Sequence, residues 1–138
     1  MQDRPTAIEL LEAAAQFIER EIIPVTEGAK QFQSRVAANV MRIVAREINL
    51  EEDQLRAEVA ALQSLLGEDE TPSSNVKDLK ERAMNLGARL SERIRSGEAD
   101  SGKWRSEVLA TVRKIVEEKL RIANPRYLEA DLAARAER

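Results

Sequence analysis

The chain has 138 residues, of which 43% are hydrophobic and 34% charged, with a formal net charge of -3 and neither cysteine nor histidine. That length suits one domain burying roughly two thirds of its unfolded surface, and the missing residue types exclude disulfides, thiolate nucleophiles, Zn sites built on S or N ligands and all imidazole chemistry. A mildly acidic chain with no basic, apolar leader and no run near the ~18 apolar residues of a bilayer span is expected in the cytoplasm, without nucleic-acid or membrane partners.

The Ala, Leu, Glu and Arg content favours helix over sheet. The first helix is expected to start at Thr6, whose hydroxyl and Glu9 three residues on form a capping box, and to stop before Pro24. Ile8, Leu11, Ala15, Ile18 and Ile22 mark one apolar stripe and Leu10, Ala14 and Phe17 a second, which predicts two neighbours for this helix. A second helix is predicted from about Gln31 to Asn49, with Phe32, Val36, Ala37, Val40, Ile43, Val44 and Ile48 over half its circumference, and so the most buried of all. "NLEED" reads as the start of a third, antiparallel helix carrying Leu55, Val59, Leu62 and Leu66, with Gly67 as its left-handed stop.

"EDETPSSN" is low in hydrophobicity and is expected to be an exposed, mobile loop and the place for a crossover. Asn75 then caps a fourth helix with Val76, Leu79, Ala83, Leu86, Leu90 and Ile94 on its apolar side, Gly87 marking a close helix approach and Gly97 the end. A fifth helix, from near Lys103, should bury Val108, Val112, Ile115, Val116 and Leu120 until Asn124 and Pro125 stop it. The elements give an all-α protein: a compact bundle of about five helices with mainly up-and-down connections, one domain over residues 1–125, and a tail at 126–138 that forms a short, fraying helix.

Some charged positions do not follow the amphipathic pattern. Glu47 falls inside the second helix's apolar arc and Lys119 inside the fifth helix's, so the two are expected either to form a buried structural ion pair or to snorkel to water from the rim. Arg35, Asn39, Arg42 and Arg46 fall within about 60° of one another on the wheel, and no Asp or Glu occurs between Gly28 and Arg46. Two readings of this ridge stand. Residues 51 to 70 hold seven acids against the single cation Arg56 and could neutralise it; otherwise the guanidinium forks and the Asn39 amide present donors to a phosphate, a carboxylate or an acidic partner surface. Trp104 plugs a bundle end or anchors an interface, where Tyr127 is the other aromatic candidate.

Three stretches, "RPTAIELLEAA", "FQSRVAANVMRIVAREI" and "LRIANPRY", with "IRSGE" as a weaker fourth, resemble a small bacterial domain-of-unknown-function family encoded beside aminoglycoside-phosphotransferase-like kinases and acyl-CoA dehydrogenases. The resemblance implies a non-enzymatic accessory subunit supporting a kinase of hydroxyacyl-CoA intermediates, with no cofactor or metal of its own. Gln33 departs from the family pattern, which often has His there, and the acidic loop is longer than that pattern. The competing functions are a small-molecule protein whose ridge holds a CoA or nucleotide phosphate, and a self-associating helical module whose wide apolar arcs would support a C2 homodimer. A ferritin-like di-metal enzyme ranks last, because its Glu-x-x-His ligands cannot exist here.

Overall fold

Thr6 opens the first helix as its sequence predicts: its Oγ1 accepts from the Glu9 N–H at 3.2 Å, while the Glu9 carboxylate accepts from the Thr6 N–H at 2.7 Å. The computed structural model describes residues 3–69 and 75–136. Five α-helices follow one another, α1 (Ala7–Phe17), α2 (Gly28–Leu66), α3 (Val76–Arg95), α4 (Gly102–Ala123) and α5 (Pro125–Ala136), and the described residues include no strand. The all-α class is thus established. The loop expected over "EDETPSSN" falls largely on residues 70–74, outside the described residues, as does any crossover there.

The second and third predicted helices are one. α2 runs unbroken for 39 residues because no Gly or Pro stands between Gly28 and Gly67, and the Asn and acids of "NLEED" are tolerated on a solvated helix surface. The turn expected at "NLEED" is therefore helix. Gly67, at φ +70°, ends the helix in a Schellman arrangement in which the Glu68 N–H reaches the Gln63 carbonyl and the Gly67 N–H that of Ser64.

The chain forms two compact units, Met1–Leu50 and Glu51–Arg138. In the first, α1 passes into a π turn (Ile18–Ile22) and a 3-10 turn (Ile23–Val25) before Gly28, at φ +58°, opens α2. Pro24 has no N–H to offer the carbonyl four residues back and its ring crowds it; the wider turn before it relieves that conflict. The Gln31 amide donates to the Ile23 carbonyl at 3.1 Å, and Arg42 pairs with Glu19 of the π turn. Both contacts lie on the side of α2 that carries Ala38 and Ala45.

Those two alanines and Ala15 are the buried hydrophobic residues described in this unit. The expectation that the arc from Phe32 to Ile48 is the most buried helix surface is therefore overturned: Phe32, Val36, Val40, Val44 and Ile48 are 36–67% exposed. Small side chains on the opposite side admit the preceding segment, and the Glu19–Arg42 and Gln31–Ile23 contacts hold it there. In α1 one stripe is partly covered, with Ala15 buried and Ile8 and Leu11 half-buried, while Leu10 and Phe17 of the other are exposed.

The second unit has a core of large residues. Val59 and Leu62 of α2 pack with Leu79, Ala83, Leu86 and Leu90 of α3 and Val108 of α4, bordered by Leu55, Leu65, Trp104 and Ile115. α4 runs antiparallel to the 51–66 stretch, tied by Gln54 to the Glu118 carbonyl (2.9 Å), Glu58 to Lys119 (2.8 Å) and Trp104 to the Leu65 carbonyl (3.3 Å). Ion pairs of Glu51 with Lys80 and Glu68 with Arg89 place α3 parallel to that stretch, so this connection is not up-and-down. Gln63, the buried polar residue among those described, is satisfied by donating to the Asp69 carbonyl at 2.8 Å.

Three smaller expectations change. A Cβ at Gly87 would meet nothing within 4 Å, so that glycine marks no close approach; its carbonyl accepts from Ser91. Val112 and Val116 are exposed, whereas Val108 is buried as expected. The boundary expected at residue 125 has no structural counterpart: α5 is a full helix with Leu128 buried, and Arg135 near its end is held by Glu117 of α4 and by Asp131.

Candidate functional site

The Arg/Asn ridge lies on α2 within the first unit, and its four members have different surroundings. Arg42 is clasped in a two-point ion pair, Nε to Glu19 Oε1 at 3.0 Å and Nη2 to Oε2 at 2.5 Å. This hydrogen-bonded carboxylate raises the Arg42 pKa above its ordinary value, against a smaller opposing effect of burial. The guanidinium is thus charged but already engaged. Arg46 is half-buried, while Arg35 and Asn39, one helical turn apart, are exposed and make no ion pair or side-chain hydrogen bond among the described residues.

The acid that neutralises Arg42 is not among residues 51–70, as the sequence suggests, but Glu19, 23 positions upstream. The usable signal was the acid-rich "IEREI" just before Pro24, since a helix that must turn at a proline brings its last residues close to the next helix. Of those acids at 51–70, Glu51 serves Lys80, Glu52 serves Arg56 in the next turn, Glu58 serves Lys119 and Glu68 serves Arg89.

The buried Glu47–Lys119 pair is a second correction. Glu47 is exposed, and Lys119, with 62% of its side chain exposed, reaches the more enclosed Glu58 carboxylate at Nζ–Oε1 2.8 Å. The long lysine stem carries its charge to the rim, and a carboxylate one turn beyond Gln54 on α2 is there to meet it.

Trp104 is a plug. It packs on the core cluster, donates its indole N–H to the Leu65 carbonyl and lies under the Arg93 guanidinium at 4.2 Å from the ring centroid. Tyr127 stays exposed in the first turn of α5, where its backbone N–H donates to Asn124 Oδ1 at 3.2 Å. Beside Trp104 an open depression of about 350 Å³ is lined by Leu66, Arg89, Glu92, Arg93, Ser96 and Glu98. Arg89 is matched by Glu68 and Arg93 by Glu98, so the hollow carries no excess positive charge for an anion.

Among the described residues no group of three acids could hold a metal ion, and no helix is long and apolar enough to cross a membrane. The first unit instead offers an exposed helix surface: an apolar arc bordered along one edge by Arg35 and Asn39. Residues 24–127 match the family DUF6285, described as a domain of unknown function. No curated protein and no solved structure matches the chain.

Proposed function

The chain belongs to the DUF6285 family, and from that premise we propose that it is a bacterial, cytoplasmic, non-catalytic partner subunit of a phosphotransferase-like kinase in acyl-CoA catabolism. The observation that carries this reading is the shape of the exposed donor set. Arg35 and Asn39 are exposed on the surface of a long helix, whereas a small ligand needs a cleft that surrounds most of its surface. A donor pair flush with a helix suits the broad, acidic surface of another protein, where a guanidinium at the rim steers and orients the encounter.

This chemistry disfavours the competing reading of a CoA- or nucleotide-phosphate binder, because Arg42, the central cation of the ridge, already spends its planar fork on Glu19. Co-purification from the native host followed by mass spectrometry is expected to recover a phosphotransferase-like kinase. The double variant Arg35→Glu, Asn39→Ala is expected to reduce that recovery about tenfold with helicity unchanged. Recovery of the protein alone, or undiminished recovery with the variant, would overturn the proposal. Titration calorimetry with CoA and with ATP is expected to show no heat; heat abolished by Arg35→Ala would establish the small-molecule reading in its place.

A further inference from the structure

Placed on a helical wheel, residues 28–50 of α2 have two sides that differ in kind. One holds Ala38 and Ala45, buried beneath the segment that carries Glu19 and Ile23. The other is an arc about 120° wide holding Phe32, Val36, Val40, Ile43 and Val44, and apart from Gln33 and Glu47 it is apolar. Ile48 prolongs the row. A 50-residue unit whose described fully buried hydrophobic residues are three alanines has a small core for its size, and the α2 row of Phe32, Val36, Val40, Val44 and Ile48 remains exposed.

The spacing of that row says what covers it. Phe32, Val36, Val40, Val44 and Ile48 recur every four residues, forming a ridge about 24 Å long of the kind that packs into the groove of another helix. The row is symmetric about Val40. If an identical helix is laid against it in the opposite direction, with a two-fold axis at Val40, Val40 meets Val40, Val36 meets Val44, and Phe32 meets Ile48. The smallest side chains lie at the centre, where the helices are closest, and the largest at the two ends, where the surfaces diverge. The same axis pairs the two polar residues of the arc, Glu47 against Gln33, an acceptor against an amide donor. An unrelated partner would have no reason to make both the apolar and the polar positions self-complementary.

We propose that this arc of α2 is the core of an isologous interface with a second copy of the chain, the two helices antiparallel about Val40. The inference goes beyond the partner-subunit reading and does not depend on it, since Arg35 and Asn39 lie on the arc's border.

Sedimentation of the full chain over a concentration series tests it. The wild-type chain is expected to be a dimer, and Val40→Glu, which places two like charges on the axis, to raise the dissociation constant about 100-fold or more with monomer helicity retained. The natural chain has no cysteine, so Val40→Cys and Phe32→Cys each supply a single thiol. Val40→Cys is expected to oxidise to a covalent dimer, because helices in contact bring their facing Cα atoms within disulfide range only near the axis; Phe32→Cys, which faces Ile48, is not. A monomeric wild type, a dimer indifferent to Val40→Glu, or equal cross-linking at both positions would each overturn the proposal. None of these outcomes touches recovery of the kinase, and loss of the kinase leaves the dimer standing.

Discussion

Lys119 and Glu58 show what a charge at the margin of an apolar face does. The amine is mostly in water and the carboxylate mostly out of it, with 62% and 15% of their side chains exposed. An exposed pair contributes between about 0.2 and 1 kcal/mol. The asymmetry nevertheless makes the two deletions unequal: Lys119→Ala strands a poorly hydrated carboxylate and is expected to cost about 1 kcal/mol, and Glu58→Gln less, because an amide in the same place tolerates the loss of a partner. A double-mutant cycle in urea is expected to give a coupling below about 1 kcal/mol. A coupling of several kcal/mol would require a truly buried pair. Residue chemistry was legible from the sequence wherever a group serves its own turn of backbone: the Thr6–Glu9 box and the Asn75 cap, whose Oδ1 accepts from Asp78 N–H at 3.0 Å, both stand as expected. It was less legible for Glu19, whose cation lies 23 residues on, across a chain reversal that Pro24 signals without saying which residues it brings together.

Among the elements, α2 is where local reading failed most, and both failures have a physical origin. Asn49 and the acids after it are as compatible with the exposed interior of a long helix as with a helix start, and only a Gly or Pro would have decided the matter. The apolar arc, for its part, tells which face benefits from burial but not what buries it, and within the first unit the small-residue side was used instead. α3 was read almost correctly because Leu79, Ala83, Leu86 and Leu90 face a core supplied by the same unit. The continuity of α2 makes a sharp prediction. Asn49→Pro removes an N–H from a helix interior and sets a ring against the carbonyl of Ala45, which is expected to cost about 3 kcal/mol or more, with a clear loss of helical circular dichroism. A chain that accepts Asn49→Pro without penalty has a turn there, as "NLEED" suggested.

For the molecule as a whole, the two units differ in what holds them together. The second has a cluster of large aliphatic residues closed at its edge by Trp104, the chain's single tryptophan. The first has, among the described residues, three buried alanines, the two-point Glu19–Arg42 ion pair and a row of exposed apolar side chains. Burial of large side chains is the dominant favourable contribution to folding, so unfolding is not expected to be a single two-state event. Circular dichroism, which senses helix in both units, is expected to fall in two steps in urea, whereas Trp104 fluorescence, confined to the second unit, follows the later step alone. Leu86→Ala is expected to lower that later step by about 2–5 kcal/mol, as a truncation in a packed core does, and to leave the earlier one in place. The earlier step also carries the signature of its covering: if a second copy shields the Val40 arc, its midpoint rises with protein concentration, while the fluorescence midpoint stays fixed. Coincident, concentration-independent transitions by both probes would mean that the first unit is stabilised within a single chain, by burial other than the alanine contacts and without a second copy.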